Sequence, residues 1–325
     1  MRAVIPVAGV GTRLRPHTYS LPKVLLNVAG KPILAHILDA LIEQGIRKAT
    51  IITGYMGRLV EEYVRSRYDI EVEYVVQEAL LGLGHAIWTA RKTFDKEPLM
   101  IILGDTIFDA DLGLSINSGY NCLGVKEVED PKRFGVVVTD KDGFITKLIE
   151  KPDIPISRMA IVGIYYITNA ILLKHCLEEI IDKDIRTRDE YQLTDALQLM
   201  LDKGEKFKTF DIEGWYDCGK PETLLSTNRF LLEKNNFLTN FPNSIIIPPV
   251  YIAENAIVER SVIGPYTSIA EDAEVCDSVI RDSIISEGAK VSISLLDRSI
   301  VGNNATVKGQ FTRLNVGNSS EIKHA

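Results

Sequence analysis

Apolar residues recur along this chain in two rhythms, and the change between them divides it. Through residue 235, short apolar runs alternate with stretches of helical spacing. Ala3–Val7 predicts a strand, Pro32–Gln44 a helix closed by Gly45, and Ala49–Thr53 a second strand. Leu59–Arg67 follows as a short helix, Val72–Val76 as a third strand, His85–Thr93 as a helix, and Leu99–Leu103 as a fourth buried strand ending at Gly104-Asp105. This βαβαβ order predicts an α/β unit with a mainly parallel, mixed sheet covered by helices, and ligands held beyond the carboxyl ends of the strands. Phe134–Thr139 and Phe144–Glu150 read as strands around an Asp142-Gly143 turn, and Ile161–Ile167 as another strand. Ala170–Ile181, Tyr191–Leu201 and Thr223–Lys234 carry helical spacing.

After Asn235 that spacing ends. Residues 244–309 divide into near-hexads such as YIAENA, IVERSV, IGPYTS and ISEGAK, with an aliphatic residue returning every five or six positions. The period predicts a left-handed parallel β-helix whose aliphatic residues fill its inside, at roughly 18 residues per coil and between three and four coils. The expected organisation is an α/β domain over 1–235, a linker over 236–243, the β-helix over 244–316 and a polar tail over 317–325.

Composition narrows the class. The 325 residues are 46% hydrophobic with a net charge of −7. This is a folded chain without the basic face of a nucleic-acid binder. No run of 18 apolar residues exists to span a membrane, and the five apolar residues after Arg2 are too few for a secretory leader. The four cysteines (122, 176, 218 and 276) show no CxxC spacing. They read as free thiols of a cytoplasmic protein.

Candidate chemistry starts at the first strand's end. Ala8, Gly9 and Gly11 form a glycine turn that leads into Thr12, Arg13 and Arg15, with Lys23 and Lys31 close behind. Backbone N–H groups and cations gathered at a strand tip suit a polyphosphate. The turn is neither a dinucleotide fingerprint, because Leu14 stands where a third glycine is needed, nor a P-loop, because Gly-Lys-Ser/Thr is absent. Asp105 follows a buried strand on the same rim, and Asp217 sits between an aromatic pair and glycine in GWYDCGKPE. Two such carboxylates suit Mg²⁺ if they converge, although a lone aspartate after a strand is as often a turn or cap residue. Gln77, before the glycine-rich VVQEALLGLGHAI helix entry, and Glu150-Lys151, at a strand end, have equally plain readings as surface groups.

The motifs together decide between these readings. GVGTRLRPHTYSLPKVLLNVAGKPI, LGLGHAI, LGDTIF, RFGVV, IEKP, EYQLTDAL and GWYDCGKPETLL resemble the signatures of sugar-1-phosphate nucleotidyltransferases over residues 1–235. The hexapeptide stretch is similar to the C-terminal domain of the family's longer members. The resemblance implies a Rossmann-like nucleotidyltransferase domain joining a nucleoside triphosphate to a sugar 1-phosphate with Mg²⁺; separately, β-helix ends and exposed strands favour self-association into a homo-oligomer. It implies a nucleotide site at Ala8, Gly9, Gly11, Thr12, Arg13, Gln77 and Gly82, with Arg13 and Lys23 on the phosphates. It implies metal ligands Asp105 and Asp217, and sugar-phosphate contacts at Gly135, Glu150 and Lys151. The glutamine amide matches uracil or thymine, so dTTP or UTP with glucose 1-phosphate is expected, ahead of a guanylyl enzyme acting on mannose 1-phosphate. A non-catalytic scaffold of the same fold would have shed the arginine, lysines or aspartates. Acyl transfer on the β-helix lacks a histidine, since His324 lies beyond the repeats. Phe134 replaces a tyrosine common in the family. His85 reads as a packing or capping residue, and Asp195 as a core-helix residue with a candidate place on the sugar side.

Overall fold

The structure, a computed structural model, describes residues 1–235 and 241–311. The tail predicted from 317 and residues 236–240 of the predicted linker lie outside the described residues. The chain forms two compact units: Met1–Asn27 with Lys31–Thr227, and Val28–Gly30 with the residues from Asn228 onward.

In the first unit the apolar runs become the strands they predict. In chain order the strands are β1 (Arg2–Pro6), the short β2 (Asn27–Val28) and β3 (Lys31–Pro32), β4 (Lys48–Thr53), β5 (Glu71–Val76), β6 (Leu99–Ile102), β7 (Thr106–Asp109), β8 (Asn121–Glu127), β9 (Gly135–Thr139), β10 (Ile145–Glu150), β11 (Met159–Ile167), β12 (Phe207–Asp211) and β13 (Gly214–Asp217). The helices are α1 (Ile33–Glu43), α2 (Gly57–Arg67), α3 (Leu83–Thr89), α4 (Leu112–Ile116), α5 (Ala170–Asp182), α6 (Leu193–Asp202) and α7 (Pro221–Lys234).

Nine strands form one mixed sheet with the path β10-β9-β11-β6-β1-β4-β5, and β8 and β12 extend from β11. β1 pairs in parallel with β4 and β6, and β4 with β5, whereas β11 runs antiparallel to β6, β8 and β9. Covered on both faces, the central strands are largely apolar, with Val4, Ile5, Ile51, Ile52 and Leu99 to Ile102 fully buried. Helices α3, α5 and α6 pack Ile87, Leu173, Leu177 and Leu197 against this sheet. The predicted Asp142-Gly143 hairpin joins β9 to β10. The helix expected over His85–Thr93 starts earlier, at Leu83, and stops at Thr89. Strands β7, β8, β12 and β13 were not anticipated.

The second unit is the left-handed parallel β-helix that the repeat predicts, built of three four-stranded parallel sheets. Its coils are tighter than the 18 residues expected. Ile245 stacks on Val262 and Val262 on Val279, a step of 17, and Val279 stacks on Leu295, a step of 16. Each coil thus replaces one or two hexads with pentads such as IRDSI. Left-handed backbone at Arg260, Asp277 and Ile293 turns one corner of successive coils. Ile263, Ile269, Val275, Ile280, Ile285 and Val291 fill the inside. Serines close part of the wall: Ser261 N–H donates to Ser244 Oγ, Ser278 N–H to Ser261 Oγ and Ser294 N–H to Ser278 Oγ, each at 3.1–3.2 Å.

Candidate active site

Parallel pairing puts the carboxyl ends of β1 and β6 side by side, since Ala3 is in register with Met100. The glycine turn after β1 and Gly104-Asp105 after β6 therefore share a rim although nearly a hundred residues separate them. Gly11, at φ 66°, turns the chain into a 3₁₀ segment over Thr12–Leu14, and Thr18 Oγ1 donates to its carbonyl at 2.9 Å. Beneath this loop lies a cavity of about 410 Å³. Ala8, Gly9, Gly11, Thr12, Arg13, Lys23, Gln77, Gly82 and Asp105 all line it. Lys23 is only 8% exposed, and its Nζ donates to Asp105 Oδ2 at 2.7 Å. Folding thus neutralises a buried ammonium with a carboxylate whose side chain is still 40% exposed.

A second cavity of about 590 Å³ opens beside the first, and Arg13, Leu83, Leu103 and Asp105 line both. Gly135, Glu150 and Asp217 line this larger cavity, together with Phe134, Trp215 and Tyr216. Antiparallel pairing of β13 with β7 sets Asp217 opposite Thr106, and Cys218 N–H donates to the Asp105 carbonyl at 3.1 Å. The two aspartates predicted as a pair thereby lie at one end of a two-stranded ribbon. Two carboxylates suit a cation that keeps waters and takes its remaining ligands from phosphate oxygens. Among the described residues no cluster of three or more metal-ligating side chains occurs. Arg13 is close to Asp217 as well: a Cβ placed on Gly219 would lie 2.8 Å from Asp217 Oδ1 and 2.9 Å from an Arg13 guanidinium nitrogen. Next in the chain, the Cys218 thiol is buried, donates to Thr227 Oγ1 at 3.7 Å and is pushed up to about 12, mainly by desolvation, which leaves it chemically inert.

Glu150 is a largely buried carboxylate of the larger cavity's wall. Burial raises its pKa, while the Thr194 hydroxyl, donating to Oε2 at 2.7 Å, and the nearby Lys151 partly offset that rise. Lys151 lines neither cavity. Its Nζ lies 3.6 Å from Glu150 Oε1 and 3.9 Å from Glu190 Oε2, between a carboxylate of the larger cavity and one of the smaller. Asp195 is not among the residues lining either cavity. Its Oδ2 is buried without a hydrogen-bond partner, and burial raises its pKa. Phe134, lacking a hydroxyl, packs edge-on against Trp215 at 4.9 Å between ring centroids.

At the other end of the smaller cavity, Gln77 is 5% exposed and its Nε2 donates to the Gly82 carbonyl at 3.2 Å. His85 Nδ1 lies 3.1 Å from the same Nε2. Gly82 has φ 107°, and a Cβ there would come within 2.6 Å of the Tyr191 carbonyl. Only glycine fits this helix entry.

The sequence profile described as Nucleotidyl transferase matches residues 2–234. The chain belongs to the nucleotidyl transferase family. The low-salt glycan biosynthesis nucleotidyltransferase Agl11 of Haloferax volcanii is 32% identical over 99% of this chain and 100% of its own length. A glucose-1-phosphate thymidylyltransferase of Streptomyces griseus is 30% identical over 94% of this chain and 93% of its own. Among solved structures, a UDP-glucose pyrophosphorylase complexed with UDP-glucose superposes with a TM-score of 0.61 and 26% identity, covering 72% of this chain and 99% of that one.

Several groups of this nucleotidyl transferase's cavities carried no signal that sequence reasoning used. Arg133 and Lys220 line the larger cavity, as do Thr194 and Trp215. All four lie inside quoted motifs (RFGVV, EYQLTDAL and GWYDCGKPETLL), so the motifs marked the segments without separating wall residues from core. Glu190, which opens the EYQLTDAL motif, is placed at the site by its approach to Lys151 and by lining the smaller cavity. No helix among the described residues is long and apolar enough to cross a membrane.

Proposed function

We propose that this chain transfers a nucleotidyl group from dTTP or UTP to a sugar 1-phosphate, glucose 1-phosphate foremost, and releases pyrophosphate. The observation that carries the reading is the pair of adjoining cavities that share Arg13 and Asp105. One is walled by the glycine turn and Gln77, as a nucleoside triphosphate requires. The other is walled by Glu150, Gly135 and an aromatic pair, as a sugar requires. The two polyanions then meet where the shared arginine stands. The resemblance to a thymidylyltransferase and to a UDP-glucose pyrophosphorylase supports glucose and a pyrimidine.

In this reading the reaction asks little covalent chemistry of the protein. A sugar phosphate is already ionised at neutral pH, so no side chain has to remove a proton from the nucleophile. The chain's work is to align two repelling anions and to balance charge as it shifts toward the leaving group. The glycine-turn N–H groups and Thr12 cradle the triphosphate. Arg13 offsets charge growing on pyrophosphate, and Lys23 fixes the nucleotide's phosphates. Lys151 holds the attacking phosphate in line. Glu150 and the backbone at Gly135 orient the sugar, and Gln77 with Gly82 reads the base. Asp105 and Asp217 fit a hard divalent cation such as Mg²⁺, which when bound would draw charge from the phosphate oxygens.

Pyrophosphate release tests the reading: the purified protein is mixed with Mg²⁺, each nucleoside triphosphate in turn and each of several sugar 1-phosphates. Release with UTP or dTTP and glucose 1-phosphate is the expected result. Release only with GTP and mannose 1-phosphate, or none with any pair, would overturn it.

A further inference from the structure

The geometry points to His85 as the residue that sets which edge Gln77 shows to the nucleotide base, and so as a specificity-positioning residue for uracil or thymine over cytosine. The inference rests on the nucleotide site proposed above. It begins from how the buried amide of Gln77 is held. A primary amide has two N–H donors on one side and a carbonyl acceptor on the other, and the two sides are nearly equal in shape. What decides their orientation is their partners. Nε2 faces the Gly82 carbonyl at 3.2 Å, and a carbonyl can only accept, so the nitrogen must stand on that side. The second N–H then points at His85 Nδ1, 3.1 Å away. That nitrogen must accept, which puts the ring proton on Nε2.

The histidine is suited to this duty. Its ring lies beside those of Trp88 and Tyr191, with centroids 5.6 and 6.4 Å away. Both rings are uncharged, with the Arg91 guanidinium over Trp88 and that of Arg186 over Tyr191, and the Gln77 amide is the ring's hydrogen-bond partner. Burial lowers its pKa, which favours the neutral ring that an accepting Nδ1 requires. With both N–H groups committed, Oε1 is the part of Gln77 left for the cavity that the residue lines. Oε1 makes no hydrogen bond within the described residues, and it is not among their sealed, unpartnered atoms.

An acceptor fixed in this way discriminates among pyrimidines. Uracil and thymine carry N3–H, a donor that completes the amide's hydrogen bonds. Cytosine carries a bare N3 lone pair, and opposing acceptors repel. If the amide were free to turn over, it would offer N–H to cytosine and lose that choice. Gly82 alone holds one N–H. His85 holds the other and raises the cost of the flip by one further hydrogen bond and one unpaired acceptor.

The test separates the acceptor from the ring. His85→Phe keeps a ring beside Trp88 and Tyr191 but removes Nδ1. His85→Asn removes the ring but places Oδ1 as many bonds from the backbone as Nδ1 was. Equilibrium binding of UTP, dTTP and CTP with Mg²⁺ is measured for the wild type and both variants, alongside their melting temperatures. Turnover with each nucleotide and glucose 1-phosphate is measured separately. His85→Phe should lose roughly tenfold in its preference for UTP or dTTP over CTP, through a higher Kd and KM for the former with kcat and the sugar-phosphate KM little changed. His85→Asn should keep the preference within about twofold to threefold. If His85→Phe does not fold, His85→Leu takes its place. Unchanged preference in the phenylalanine variant, or equal loss in both variants, would overturn the assignment. A wild type that binds no pyrimidine nucleotide better than the others would instead refute the nucleotide-site reading, and binding without turnover would refute the proposed reaction while still testing His85.

Discussion

Replacing Asp105 by asparagine removes the charge that neutralises Lys23. In the folded protein the ammonium is 8% exposed and 2.7 Å from the carboxylate. Coulomb's law at an effective dielectric of about 20 puts the attraction at about 6 kcal/mol. Two terms reduce what is lost. Water reaches the Asp105 side chain, which is 40% exposed, and the asparagine carbonyl still accepts a hydrogen bond from Nζ. A net loss of about 2 kcal/mol remains, in the range expected when one partner of a partly buried pair is removed. For a domain of this size that is a fall of about 4–8 °C in melting temperature. Lys23→Met in the same background removes the stranded charge and should return most of that loss, although both single variants and the double variant lack turnover. Thermal denaturation of the wild type, Asp105→Asn, Lys23→Met and the double variant completes the cycle, and pyrophosphate release reports activity. If the double variant is no more stable than Asp105→Asn, the pair is not coupled as its geometry demands. If Asp105→Asn retains near wild-type turnover, Asp105 has no part in the chemistry.

Lys151→Ala should lower kcat by orders of magnitude with little change in nucleotide Kd, which single-turnover kinetics beside nucleotide titration would show. The carboxyl of Glu150 is raised by burial, so its stabilising contribution is complete below the unfolded-state pKa and is lost as pH rises through the folded one. Glu150→Gln should therefore gain stability relative to the wild type between pH 4 and pH 8, measured by denaturant unfolding across that range. A wild-type-like pH trend in the variant would contradict the assigned cause. Ile280 is fully buried in the β-helix, between the coils that carry Ile263 and Leu296. Ile280→Ala should cost about 2–5 kcal/mol in the unfolding of that unit, while a surface change such as Lys308→Ala should not be felt.

Much of the α/β sheet was legible because its central strands are buried on both faces and so read as unbroken apolar runs. β1, β4 and β6 fall within a residue or two of their predicted ranges. β7 and β13 were hidden for the opposite reason. Each has four residues, TIFD and GWYD, which mix polar and aromatic types, and each exists because the other, more than a hundred residues away, pairs with it. The β-helix was legible as a repeat but not in its pitch. Pentads and hexads place aliphatic residues inward equally well, and only the stacking of neighbouring coils reveals steps of 17 and 16.

The amino-acid order by itself determined the kinds of chemistry present. These are a glycine turn beside cations, an aspartate after an apolar strand and another in an aromatic, glycine-flanked motif, an amide ahead of a glycine-rich helix entry, and a period that can only fill a coil. Each of these depends on residues close in sequence, where side-chain type and spacing constrain the backbone directly. Tertiary structure decided which of them meet. It paired Lys23 with Asp105, set Asp217 beside them through a two-stranded ribbon, and placed Lys151 between two carboxylates. It also turned the Gln77 amide, whose two sides are alike in shape and take their orientation from a carbonyl and an imidazole. Contacts of that kind form between segments that packing brings together, and no local pattern encodes the distance between them.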